Sequence, residues 1–422
     1  LIGNLTVQSD RSFPYTAFSL TVILALTAAP AVAAFSDLVV FGDSLSDVGN
    51  IASATFGSQP GPFYYNDRVS NGPVYSELLA TQLGLGPLSR STAGGNNFAY
   101  GGAQTTGTGG IEGFFIHDID EQVDTYVAER TADADTLYVL YAGANDLVNG
   151  QTDMSIPVGS LTSSIEDLID HGARHFLVPN LPRLGVVPRF NGDPIQAAAM
   201  NSASDDFNAA LATALDVLET SQPETMFIRF DVAALFDNIQ ADPTSFGFSN
   251  VTDPAAPGLG VGDSSYDTSQ IVAEPDTYLF WDDLHPTTVA HEKLAELLAQ
   301  AVLVAVATPG DGNLDGMVDG LDYLIWADNF GDGPADNPPG PPLNGDFNQD
   351  AVVNGLDYLV WASNFGQGPN DAVGVPEPSG WTLWLIAATL VTGVPTCRRR
   401  GGRRVRASAK AVETVRAVAA IE

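Results

Sequence analysis

The chain has 422 residues, 45% of them hydrophobic, which is long for one domain and enough to build a sizeable core. Its 17 Lys and Arg face 51 Asp and Glu, a net charge of -34, and eight of the basic residues lie after Cys397. So acidic a surface argues against nucleic acid and anionic membranes as partners, and a single cysteine excludes an intramolecular disulfide or a cysteine-rich metal site.

The first predicted element is an export signal at residues 1–34. Arg11 supplies the early positive charge, residues 18–26 form an apolar run too short to span a bilayer, and Ala31, Val32 and Ala33 offer a small-x-small cleavage pattern. A domain over residues 35–307 follows. Its opening run, Leu38, Val39, Val40 and Phe41, reads as a short buried strand that delivers Gly42, Asp43 and Ser44 into a turn. Open α/β sheets place their chemistry at the carboxyl ends of the strands, which makes Ser44 a candidate nucleophile. On this stretch alone, Asp43, Ser44 and Ser46 read equally well as helix-capping residues.

Further strands are predicted at residues 137–141, 176–178 and 226–230, with a weaker one around Phe98. Helical spacing of apolar residues marks 74–83, 119–130, 165–171, 200–218 and 288–306. This alternation predicts a mainly parallel sheet with helices on both faces. Two Gly/Pro-rich loops, 55–65 and 253–263, are long for such a fold, and we expect them to wall a substrate cleft.

A serine nucleophile needs a base, normally His, and the base needs an orienting carboxylate. His117, His171 and His175 have no setting that singles them out, and His291 stands in "HEKLA", which lacks the second His of a zinc-protease pattern. His285, in "FWDDLHPTT", follows Asp282 by three residues, and Pro286 holds the segment as a loop. Asp283 rivals Asp282 as its partner. Donors for an oxyanion are offered at two more strand ends, by the glycine pair of "NFAYGGAQT" and by Asn145 of "YAGAND". No G-x-S-x-G elbow is present.

Taken in order, "FGDSLSD", "NFAYGGA", "GAND" and "DDLHP" resemble the GDSL esterase/lipase family of the SGNH hydrolases, over residues 38–306. The resemblance implies a flavodoxin-like three-layer α/β/α sandwich, with Ser44 as nucleophile, His285 as base and Asp282 as its orienter. It also implies an oxyanion hole made by the N–H of Ser44, the N–H of Gly102 and the side-chain amide of Asn145. The activity expected is hydrolysis of carboxylic esters through an acyl-enzyme without a catalytic cofactor, the substrate being a lipid, a simple ester or an acetylated glycan. Two alternatives are a polysaccharide O-deacetylase of the acetyl xylan esterase type, and a calcium-dependent binding protein with an inactive hydrolase domain.

From residue 308 the composition changes. "GDGNLDGMVDGLDYLIWADNFGDGP" and "GDFNQDAVVNGLDYLVWASNFGQGP" form an internal repeat, joined by the Pro-rich linker 334–342. Oxygen-bearing side chains recur at loop positions 1, 3, 5, 9 and 12, the EF-hand type of calcium spacing. They are Asp311, Asn313, Asp315, Asp319 and Asp322, then Asp346, Asn348, Asp350, Asn354 and Asp357. Gly316 takes position 6 of the first loop, where a sharp turn wants glycine, but Ala351 stands there in the second. The pair, residues 308–370, resembles type I dockerin modules, which implies a small α-helical EF-hand-like calcium module and a cohesin-like protein partner.

Residues 371–422 carry "VPEPS", an apolar segment at 381–394 and then Arg398, Arg399 and Arg400. This order resembles a PEP-CTERM sorting signal. It implies transient membrane anchoring, the envelope sorting machinery as partner, and a secreted or cell-surface destination.

Overall fold

A computed structural model of the protein describes residues 35–333 and 342–368. The expected export signal, most of the Pro-rich linker and the sorting segment lie outside the described residues. Among the described residues no helix is long and apolar enough to cross a membrane.

β1 (Asp37–Gly42) is buried from its second residue onward, as its unbroken apolar run requires, because such a strand has no face suited to water. After it come α1 (Asn50–Ala54), α2 (Tyr75–Gln82) and α3 (Ile119–Glu129). β2 (Thr136–Tyr141) is buried throughout and leads into α4 (Ala144–Val148) and α5 (Ser155–Asp170). β3 (His175–Pro179), α6 (Pro188–Asn191), α7 (Pro194–Ser221), β4 (Met226–Phe230) and α8 (Val232–Ala241) follow. The four strands pair in the order β1-β2-β3-β4, all parallel.

The weaker strand expected around Phe98 is reduced to a parallel bridge, Val40 with Asn97, on the free side of β1. The Phe98 N–H donates to the Val40 carbonyl at 2.7 Å, and the Tyr100 N–H to that of Gly42 at 3.1 Å. Counting this segment gives the flavodoxin-like order 2-1-3-4-5, whose switch point lies at the carboxyl end of β1. α3, α5 and α7 pack side by side as one helical layer, and α2 pairs with α9 (Thr288–Val306) in the other. Between them the main core runs through Phe41, Leu79, Tyr138, Phe176 and Leu298.

Three features differ from the expectations. α5 starts at Ser155 rather than residue 165, since Pro157 falls in the first turn, where its missing N–H has no intrahelical acceptor to lose. α8 and a second, two-stranded parallel sheet, β5 (Asn250–Pro254) with β6 (Tyr278–Phe280), have no counterpart in the predicted elements. The two long loops are joined to each other, the Gly262 N–H donating to the Pro60 carbonyl at 2.8 Å. Around them Tyr64, Val69, Ala255, Ala256, Leu259 and Trp281 form a separate small core.

In the repeats, α10 (Gly320–Asp328) and α11 (Gly355–Asn364) pack through reciprocal contacts. The Trp326 indole N–H donates to the Asn354 carbonyl at 2.7 Å and that of Trp361 to the Asp319 carbonyl at 2.8 Å, while Tyr323 and Tyr358 meet between them. Ala351 adopts the left-handed backbone (φ 68°) that Gly316 adopts in the first loop (φ 86°), so the two loops share a turn although only one has the residue suited to it.

Candidate active site

Gly42 closes β1 at a point where a Cβ would lie 2.6 Å from the Ser46 hydroxyl and 2.9 Å from the Tyr141 carbonyl. Gln122 of α3 brackets this glycine, its amide oxygen accepting from the Gly42 N–H at 3.0 Å and its amide nitrogen donating to the Gly42 carbonyl at 2.9 Å. The chain then folds into one tight turn, with the Asp43 carbonyl accepting from the N–H groups of Ser46 and Asp47 at 3.0 Å each. Ser44 sits on that turn rather than at a helix start. The free N–H groups around the beginning of α1 go instead to Asp47, whose carboxylate accepts from Gly49, Asn50 and Ile51 at 2.7, 2.6 and 3.0 Å. The capping alternative therefore belongs to Asp47, and the Ser44 hydroxyl is left for another partner.

That partner is His285. The Ser44 Oγ lies 3.0 Å from His285 Nε2 across 241 residues of sequence, and both residues are buried. β6 ends at Phe280, and the residues after it curl so that Asp282 faces back: its Oδ1 accepts from the N–H groups of Leu284 and His285 at 2.8 and 2.6 Å. Its Oδ2 lies 2.8 Å from His285 Nδ1. Asp283, the rival carboxylate, turns outward into a two-pronged ion pair with Arg189 at 2.6 and 3.0 Å. None of the other histidines bonds to Ser44, although His291 also lines the pocket beside it. His117 stacks on Tyr100 with ring centroids 4.8 Å apart, His171 and His175 bond to backbone carbonyls, and His291 accepts the Tyr75 N–H at 3.2 Å.

Among the described residues, the backbone N–H groups of Ser44 and Gly102 donate to no other group of the chain. Gly102 holds a left-handed backbone (φ 86°), which a side chain would strain, while the N–H of neighbouring Gly101 is taken by Asp47 Oδ2 at 2.9 Å. Asn145 sits in the first turn of α4 with its amide nitrogen 2.9 Å from the Ala103 carbonyl, which draws the strand ends of β2 and the 97–105 segment together. Asp146 reinforces that link by accepting from both the N–H and the hydroxyl of Thr105, at 3.0 and 2.7 Å.

The electrostatics divide the buried groups into two kinds. Burial pushes the carboxyls of Asp43, Asp47 and Asp146 up to about 6 each, against the pull of their hydrogen bonds. Burial acts on Asp282 in the same sense, yet the facing His285 ring and the donors around its carboxylate outweigh it and hold it below the usual value. Asp282 is thus the buried carboxylate built to stay charged. His291, wholly enclosed, is pushed down to about 3 by burial and stays neutral.

Beside Ser44 and His285 opens a pocket lined mainly by apolar side chains. Val148, Leu184, Val187, Leu235, Phe236 and Ile239 supply its walls. Neither long loop contributes to it, which corrects the expectation that they wall the cleft. Three residues of the site escaped the sequence: Gln122, Asp47 and Tyr64, whose hydroxyl donates to Asp282 Oδ2 at 2.7 Å. Each acts through a partner far off in the chain, and a buried Gln on an otherwise amphipathic helix was the one signal that could have been read.

In the repeats, Asp322 accepts the N–H groups of Gly312, Asn313 and Asp319 at 2.8, 3.1 and 2.7 Å, and Asp311 Oδ2 accepts that of Gly316 at 2.9 Å. Asp311 Oδ1 is buried without a partner. In the second loop Asp346 accepts from both Asp350 and Ala351, at 3.1 and 2.8 Å. Among the described residues no three His, Cys, Asp or Glu side chains are gathered closely enough to form a metal shell.

Residues 38–298 match the family described as GDSL-like Lipase/Acylhydrolase. Over 317 residues the chain is 29% identical to a phosphatidylcholine-sterol acyltransferase of Aeromonas hydrophila, a match that covers 65% of this chain and 92% of that protein. It is 30% identical over 323 residues to the esterase EstA of Pseudomonas aeruginosa, covering 67% of this chain but only 49% of that protein. Among solved structures, a Clostridium thermocellum family 3 carbohydrate esterase aligns with a TM-score of 0.33 at 14% identity, over 64% of this chain and 96% of that one.

Proposed function

Because the chain belongs to the GDSL-like lipase/acylhydrolase family and is a carboxylic ester hydrolase, we propose that Ser44 is its nucleophile, His285 its general base and Asp282 the carboxylate that orients the base. The observation that carries this reading is the continuous hydrogen-bonded line from Ser44 Oγ through the His285 ring to Asp282. Ser44 Oγ attacks the ester carbonyl while His285 Nε2 takes its proton and passes it to the departing alkoxide. Water, deprotonated by the same nitrogen, then attacks the acyl-Ser44 carbonyl; the carboxylic acid leaves and the serine hydroxyl re-forms. The N–H groups of Ser44 and Gly102 and the amide of Asn145 are the proposed oxyanion donors.

The substrate class follows from the pocket. An acyl chain of several carbons laid along these apolar walls gains about 0.8 kcal/mol for each methylene it buries, roughly a fourfold rate factor per carbon, a gain an acetyl group cannot make. We therefore read the enzyme as acting on esters of medium or long apolar acids rather than as a polysaccharide deacetylase. With p-nitrophenyl esters, kcat/KM is expected to climb from acetate to octanoate by at least about a hundredfold. Leu235→Trp, which fills the pocket, is expected to flatten that climb and spare acetate. A maximum at acetate in the unaltered enzyme would refute the reading.

For the repeats we propose calcium as the bound ion, held by Asp311, Asn313, Asp315, Asp319 and Asp322. What supports it is the orphaned Asp311 oxygen, in a carboxyl that burial, with Asp322 and Asp315 adding to it, pushes up to about 6. A cation would satisfy that oxygen and offset the crowded charge. The second loop, which has no such orphaned oxygen among the described residues and carries Ala351 at the turn, is the weaker site. Calcium added to the chelator-treated full chain is expected to raise the melting temperature of the repeats and leave esterase kcat unchanged; no calorimetric binding heat would end the proposal. A protein partner of cohesin type is supported by Leu321, Leu324, Leu356 and Leu359, equivalent apolar pairs that are each more than half exposed. Export and envelope sorting rest on residues 1–34 and 371–422 and are tested by mass spectrometry of the chain ends recovered outside the cell.

A further inference from the structure

We propose that Tyr64 is a positioning residue for the general base, and that through it the small core between the two long loops sets the basicity of His285. The inference rests on the Ser44, His285 and Asp282 assignment above and adds a fourth member to that line. The Tyr64 hydroxyl donates to Asp282 Oδ2 at 2.7 Å, the same oxygen that stands 2.8 Å from His285 Nδ1. Asp282 Oδ1 accepts two backbone N–H groups and lies 3.0 Å from His285 Nδ1 as well, while Oδ2 is shared by Tyr64 and the nearer approach of Nδ1. The tyrosine is 6% exposed and belongs to the small core, far from the sheet in its packing though not in its effect. Burial and the charge of Asp282 push the Tyr64 hydroxyl far above its ordinary value, so it remains a donor throughout the working pH range.

A hydrogen bond to a carboxylate lowers its proton affinity, and a less basic carboxylate stabilises a neighbouring imidazolium less. Tyr64 therefore draws on the carboxylate charge that faces the His285 ring and helps fix the ring in line with the serine hydroxyl. The other groups facing the pair are Asp43 on the nucleophile turn, His291 on α9, and Asp283, which Arg189 neutralises; Asp263 lies near Tyr64 itself. All of them are unchanged between the enzyme and a Tyr64 variant, so a difference between the two profiles isolates the hydroxyl.

The test is the pH profile of kcat/KM for a short, soluble ester, measured on the full chain and on Tyr64→Phe, which keeps the ring in its core and removes only the oxygen. The acid limb is expected to move up by about half a unit to one unit, with kcat lowered about three- to tenfold and KM within twofold. Tyr64→Leu, which also empties part of the small core, is expected to show the same shift together with a lower melting temperature. An unmoved acid limb in Tyr64→Phe overturns the proposal, and so does a fall in activity that tracks melting temperature alone. Ser44→Ala, assayed in parallel, separates the two levels: if it keeps full activity the underlying assignment fails, and if it is inactive while Tyr64→Phe matches the enzyme at every pH, only the role of Tyr64 falls.

Discussion

Ester turnover is expected to fall by roughly 10⁵- to 10⁶-fold when Ser44 is replaced by alanine, with the fold intact. The size of the loss follows from what the hydroxyl does and from what remains without it. In the role proposed for it, its oxygen forms the bond to the acyl carbon, and among the described residues no second donor reaches His285 Nε2. Oxyanion donors and pocket binding would still favour attack by water, which keeps the residual rate some 10³ to 10⁴ above the uncatalysed one. Stability should hardly change, since one hydrogen bond worth about 1 kcal/mol is exchanged for a methyl group. Turnover of p-nitrophenyl octanoate and thermal melting on the same preparation decide it. A variant that keeps a tenth of the activity would remove Ser44 from the chemistry.

Asp282→Asn is expected to cost about 10⁴-fold in kcat while leaving the loop in place. The amide oxygen can take over from Oδ1 and accept the N–H groups of Leu284 and His285. Its NH₂, however, would then point at both His285 Nδ1 and the Tyr64 hydroxyl, where the carboxylate accepts from each. The ring is driven to the tautomer with its proton on Nε2, facing Ser44, and can no longer act as a base. Stability reports the same residue independently. The folded state holds the Asp282 carboxyl below its ordinary value, so its contribution is present above about pH 4 and is lost as pH falls through the lowered value. Denaturant midpoints should therefore show the enzyme more stable than Asp282→Asn at pH 7, the gap narrowing as pH falls below the ordinary carboxylate value. A gap that widens in acid would contradict the charged, hydrogen-bonded state described for Asp282.

Much of the architecture was legible because parallel strands buried on both faces leave an unmistakable apolar run, as in β1 and β2. Ser44, His285, Asn145 and the glycine pair stood out for a different reason: each is a short polar word after an apolar one, and the structure sets Ser44 and His285 3.0 Å apart. β5 and β6 were not, since Asn250, Asp253 and Pro254 carry no strand signal and the pairing depends on a segment some 25 residues on. The pocket was hidden too. Val148 and Leu235 look in sequence like any core residue, and only the packing tells which apolar side chains face one another and which face a space. The role expected for the long loops missed for a related reason: Gly and Pro announced that the loops are irregular, but not that Tyr64 and Trp281 would give them a core of their own.

That second core has a consequence for how long the enzyme lasts. Ser44 hangs from the central sheet, but Asp282 and His285 follow Trp281, a member of the small cluster, and a cluster of that size is expected to open at less cost than the sheet unfolds. As temperature rises, the loop that carries His285 is therefore expected to be released first. Activity is then expected to fall in a step that secondary structure does not register and to return on cooling so long as the sheet has held, the working lifetime being set by the smaller core and not by the larger one.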